Sequence, residues 1–221
     1  MKQALIKLHI SVFLAGFTGI LGVLISLNEM SLVWYRIMIT VVSLSVLFKI
    51  TGKSAQLPKS TVIRFILIGC LIALHWVAFY GSIKLSNVSI GLVCFSATGL
   101  FTALLEPLLV TKKIQWAELG LGLISLLGIY LIFHFDQRYQ TGIIVGIISA
   151  FLAALFSVWN KRHVNKAEPL VIMLYELTGG LLVLTLLMPL YGYFFPEMSL
   201  IPTLSDWGWL LVLSWLCTIV A

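Results

Sequence analysis

Four ionisable side chains sit inside stretches that are otherwise apolar: Arg36, His75, Glu106 and Glu176. Placing such a group in hydrocarbon is costly, so each is expected to face a cavity or a partner, which makes it a default candidate for function. His75 opens a run in which His75 and Phe79 share one helical face and Trp76 and Tyr80 the adjacent one. Aromatic rings at that depth, away from the headgroup belt, suit a pocket for a partly apolar organic solute, with belt anchoring as the other reading of Tyr80. Counted at about 1.5 Å per residue, Arg36 lies roughly 8 Å from the outer end of its helix and His75 about 10 Å below the outer surface, nearly level. Cys94, Thr98, Thr102 and Glu106 recur every fourth residue and could form one wall of a watery path. The alternative is that the hydroxyls bond back to their own backbone. Glu106 and Glu176 fall in the cytoplasmic third, within reach of Arg64, Lys112, Lys113 or Arg162. Helix-end salt bridging and a coupling role in transport both remain open for these two.

The elements that must position these groups follow from hydrophobic length. A bilayer core roughly 30 Å thick takes about twenty helical residues, and only helices or closed barrels satisfy every backbone polar group there. Candidate spans cover 8–27, 31–50, 62–83, 88–110, 115–134, 142–161, 170–195 and 207 onward, too long and continuous for barrel strands. With 61% hydrophobic and 10% charged residues, no soluble domain needs explaining. The expected fold class is an all-α polytopic membrane protein, a multi-helix bundle.

Lys and Arg fall in every second gap: Lys2 and Lys7; Lys49, Lys53, Lys59 and Arg64; Lys112 and Lys113; Lys161, Arg162 and Lys166. The other gaps hold Lys84 and Arg138 with Glu29, Asp136, Glu197 and Asp206. The positive-inside rule makes the first set cytoplasmic and predicts a cytoplasmic N-terminus. The net charge of +6 is therefore a matter of orientation, and no nucleic-acid partner is expected. Cys70, Cys94 and Cys217 lie in apolar spans without paired spacing, so neither a disulfide framework nor a zinc site is indicated. No phosphate-cradling glycine loop or nucleotide motif appears, and no cofactor or metal is implied.

Small residues at four-residue spacing let membrane helices approach closely. Gly142, Gly146, Ala150 and Ala154 form such a stripe, and Ala15, Gly19, Gly22 and Ser26 a looser one. Both helices are expected to be buried in the bundle. The second span reads Ser-Leu-Val-Trp-Tyr-Arg from Ser31, and the seventh Pro-Leu-Val-Ile-Met-Leu-Tyr-Glu from Pro169. One starts outside and the other inside, as in an inverted repeat.

Several segments resemble the drug/metabolite transporter superfamily, specifically EamA-type permeases. They are Tyr35-Arg36; the run Phe79-Tyr80-Gly81-Ser82-Ile83-Lys84-Leu85-Ser86-Asn87-Val88-Ser89; Leu105-Glu106-Pro107 leading into Lys112 and Lys113; and Ser149-Ala150-Phe151-Leu152-Ala153-Ala154 through Asn160-Lys161-Arg162. The resemblance implies two inverted five-helix repeats, here 1–136 and an incomplete 142–221. It also implies a carrier that exports small metabolites or amino-acid-like or drug-like solutes through a central cavity. Carried over by the resemblance, the cavity residues are His75, Trp76, Phe79 and Tyr80 with Phe95, Ser96 and Thr98, alongside Arg36 from the depth argument.

The leading expectation is a secondary carrier of the cytoplasmic (inner) membrane that works by alternating access. Its partners would be the lipid bilayer and a small molecule with an anionic group and an apolar part, with a homo-oligomer left open. A non-transporting truncated fragment or assembly partner is the alternative. An intramembrane hydrolase using Ser96 and His75 is the third reading.

Overall fold

The computed structural model describes residues 2–110, 113–133, 137–197 and 199–220. Lys112, His134 and Asp136, used in the span and charge assignments, lie outside them, as do the side chains of Lys2 and Lys7. Polar residues between the apolar runs set the helix boundaries. Asn28 accepts from the Ser31 N–H at 2.8 Å and starts α2, which ends at Gly52 in the left-handed region (φ 63°). Asn87 does the same for the next span by accepting from the Ile90 N–H at 3.0 Å, and Thr203 with Asp206 forms a capping box on the last helix.

The order is α1 (Lys2–Leu24), α2 (Glu29–Thr51), α3 (Lys59–Leu85), α4 (Val88–Phe95), α5 (Thr98–Val110), α6 (Trp116–Phe133), α7 (Gln140–Lys161), α8 (Pro169–Phe194) and α9 (Leu204–Ser214), which runs into a π-helical turn (Trp215–Val220). Five stretches are long and apolar enough to cross a membrane: α2, α3, Val88–Val110, Gln140–Lys166 and α8. His9–Leu24, Trp116–Leu131 and Leu204–Val220 are shorter apolar helices. The chain is a polytopic membrane bundle. Its fourth span, expected as one helix, is broken at Ser96 and Ala97. There Ser96 Oγ donates to the Val93 carbonyl at 2.6 Å and Thr98 Oγ1 to the Phe95 carbonyl at 2.6 Å, local bonds that compete with the helical ladder.

Helix α3 is the centre, packed most extensively against α7 and α8. At Gly69 and Gly179 the approach is backbone to backbone: a Cβ on Gly69 would stand 1.6 Å from the Glu176 carbonyl oxygen, and one on Gly179 2.2 Å from that of Ile66. On α7, a Cβ on Gly142 or Gly146 would come 2.7 Å from Ser86 Cβ or Cys94 Cβ, so the small-residue stripe seats α7 against α3 and α4. The looser stripe on α1 behaves differently. Gly22 lies against the Tyr80 ring, but Ala15 and Gly16 are exposed. Helix α1 meets the bundle along a narrow edge rather than being enclosed by it, because its lower residues have no facing helix among the described residues.

The upper end of α1 is held by charge. Asp206 accepts from the Ser26 N–H at 2.7 Å and from its hydroxyl at 2.6 Å. Lys84 Nζ donates to the Ile25 carbonyl at 3.3 Å and also to that of Leu27, satisfying carbonyls just beyond the helix end.

Candidate functional site

Helix α2 brings Arg36 to the bundle interior, where it is 3% exposed. Its Nε donates to Thr218 Oγ1 at 3.0 Å, one terminal nitrogen to the Tyr80 hydroxyl at 3.0 Å and the other to the Cys217 carbonyl at 3.3 Å. The guanidinium carbon lies 3.8 Å above the Trp76 ring. All these partners are uncharged, and among the described residues no carboxylate lies within ion-pair range of Arg36. The charge is therefore fixed in direction and left without a counter-ion.

His75, one turn from Phe79 on α3, is buried and tied to α7. Its Nδ1 lies 2.9 Å from both the carbonyl and the hydroxyl oxygen of Ser149, and that hydroxyl also reaches the His75 carbonyl at 3.2 Å. Around the imidazole stand Phe95 and Phe156, with centroids at 5.4 and 5.6 Å, and Phe79 at 6.2 Å. Arg36, His75, Trp76, Phe79 and Phe95 together line a cavity of about 500 Å³, closed on one side by Val12 and Thr18 of α1. Tyr80 is fully buried behind it, holding Arg36. The cavity can take a small solute with one anionic group and an apolar body.

Ser96 and Thr98 lie elsewhere. With Thr102, Glu106, Glu118 and Ser125 they line a groove of about 500 Å³ between α5 and α6. Cys94, the top of the expected polar stripe, is fully buried against α7. Phe95 and Ser96, adjacent at the break, face different spaces. Ser96 directs its hydroxyl to Val93, and the hydroxyl beside the imidazole belongs to Ser149. Glu106 Oε1 lies 2.6 Å from Lys161 Nζ on α7. Lys161 was not among the cations expected near Glu106, and the expected Lys112 lies outside the described residues. Glu176 is buried on α8 and makes no ion pair among the described residues, so the salt bridge with Arg64 or Arg162 does not form.

Sequence reasoning missed Ser149, Thr218 and the Cys217 carbonyl. Ser149 could have been found as a hydroxyl beside the small-residue face of the sixth span, next to Ala150. Nothing local marks Thr218, which sits in a π-helical turn where it bonds the Leu213 carbonyl at 3.0 Å.

A bundle of apolar helices enclosing a buried cation and an aromatic-walled cavity has the build of a polytopic membrane carrier. A family model for the EamA-like transporter family matches residues 3–134, more than half of the chain, and the chain belongs to that family. A solved crystal structure, described only as that of a protein, is 16% identical with a TM-score of 0.69. The match covers 99% of this chain and 77% of that one, a likeness of fold. No curated protein matches.

Proposed function

We propose that the chain is a secondary carrier of the cytoplasmic membrane that exports small organic anions with an apolar part, its N-terminus lying on the cytoplasmic side. The observation that carries this reading is Arg36, a buried guanidinium with neutral partners only, opening on a cavity walled by Trp76, Phe79 and Phe95. A substrate carboxylate or comparable anion supplies the missing counter-charge, and the rings take the apolar portion.

Alternating access between the two repeats, 1–136 and 142–221, is supported by a pair of matching contacts. Tyr35 on α2 donates to the Leu200 carbonyl at 3.0 Å, in the connection between α8 and α9. Tyr175 on α8 donates to the Ala55 carbonyl at 2.7 Å, in the connection between α2 and α3. Each tyrosine of the repeated motif thus grips the loop of the opposite half, as a pseudo-two-fold axis in the membrane plane requires. The residues that follow them, Arg36 and Glu176, then face the two ends of the pathway.

The test is efflux from vesicles loaded with 3-phenylpropionate and containing the full-length protein. Arg36→Ala is expected to abolish efflux, and His75→Ala to reduce it. Unchanged efflux in both variants removes these residues from the site and the anion reading with them.

A further inference from the structure

A second cavity, of about 370 Å³, shares Trp76 and Cys217 with the first as a common wall and continues toward Val164 in the α7–α8 connection and Pro169 at the start of α8. Its remaining walls include Phe156 and Met173, and two oxygens here are unmet. Glu176 Oε1 and Asn160 Oδ1 are both buried with no hydrogen-bond partner, and Glu176 as a whole is 6% exposed. The surrounding charged and titratable groups are committed elsewhere. Arg36 on α2 is bonded to Tyr80, Thr218 and Cys217, and His75 on α3 to Ser149. Cys70 on α3 donates to the Gly179 carbonyl, Lys161 on α7 pairs with Glu106, and Tyr175 on α8 is bonded to Ala55. Among the described residues no cation answers Glu176.

We propose that Glu176 and Asn160 form a binding site for a primary ammonium group on the solute carried, an assignment that rests on the carrier reading above. An ammonium group has three donors and no acceptor, which suits two acceptor oxygens that lack donors. A bound anion would be repelled by the carboxylate, whereas an ammonium group supplies the counter-charge that a poorly hydrated space otherwise denies it. The faces of Trp76 and Phe156 accommodate the carbon skeleton next to the nitrogen, and Trp76 adds attraction for the cation itself. The two chambers then discriminate by sign across one tryptophan, with the anionic group at Arg36 and the amine at Glu176. The substrate class is a small amphiphile bearing both groups.

Calorimetric titration of purified full-length protein with 2-phenylethylamine, and separately with 3-phenylpropionate, tests the assignment. Glu176→Gln is expected to weaken the amine at least about tenfold while leaving the carboxylate within about twofold, and Arg36→Ala to do the reverse. Should Glu176→Gln lose both ligands through misfolding, Asn160→Leu decides the matter: several-fold weaker amine binding supports the site, and unchanged binding overturns it. An amine that fails to bind the wild type, or that binds Glu176→Gln equally well, overturns the ammonium site. A wild type that binds the amine and not the carboxylate overturns the anion reading and leaves the amine site standing.

Discussion

Arg36 shows how a charge can be positioned without being cancelled. Three hydrogen bonds and one aromatic face hold its guanidinium plane, and none of them removes its charge. Lysine would keep the charge but cannot serve three divergent acceptors and stack on a ring. Arg36→Lys is therefore expected to bind 3-phenylpropionate roughly tenfold more weakly, by loss of about one to two charge-assisted hydrogen bonds, which titration of the purified variant measures. His75 depends on Ser149 in a similar way. Ser149→Ala keeps the carbonyl contact and removes the hydroxyl, and the expected loss is about 1 kcal/mol of stability, in line with polar contacts between membrane helices. Thermal unfolding in detergent reads that loss directly.

At the scale of helices, the spans were legible because length and hydropathy are properties of the chain alone, and the Asn28, Asn87 and Thr203 caps fall where polar residues interrupt the runs. Rotation about each helix axis was not legible. In lipid the outward face is as apolar as the inward one, so Phe95 and Ser96 give no sign of which way they turn. The break between α4 and α5 depends on hydroxyls finding nearby carbonyls, and Ser and Thr elsewhere, such as Ser45 and Thr178, bond back in the same way without breaking their helices. Close backbone contact at Gly69 and Gly179 was equally hidden, since the sequence stripes singled out α1 and α7. A methyl group there meets peptide oxygen, which cannot rotate away. Gly69→Ala is expected to cost several kcal/mol through separation of α3 and α8. Gly99→Ala, with nothing within 4 Å, is expected to be neutral or slightly stabilising. Unfolding of the two variants side by side in detergent provides the comparison, and equal stabilities would contradict the packing described.

For the whole molecule, the alternation of loop cations and the paired tyrosine contacts support the threading proposed above. Reporter fusions at Lys53, Lys113 and Lys166 are expected to report the same face of the membrane, and fusions at Asn87 and Glu197 the other. A split between Lys53 and Lys113 would undo both the threading and the two-fold relation of α2 to α8. Arg36 and Glu176 already stood behind matching tyrosines in the sequence, whereas the neutral partners of the one and the unmet oxygen of the other needed the packed bundle to appear.

Helix α1 is fastened at its upper end by Asp206 and Lys84, and from Leu5 to Phe17 Leu14 is its only buried described side chain. That asymmetry would give it the mechanics of a cantilever hinged near Ser26. Because Val12 and Thr18 also form a wall of the Arg36 chamber, a modest pivot there would open a slot facing the lipid tails. On the carrier reading proposed above, that slot would be a sideways doorway from the bilayer for amphiphilic cargo.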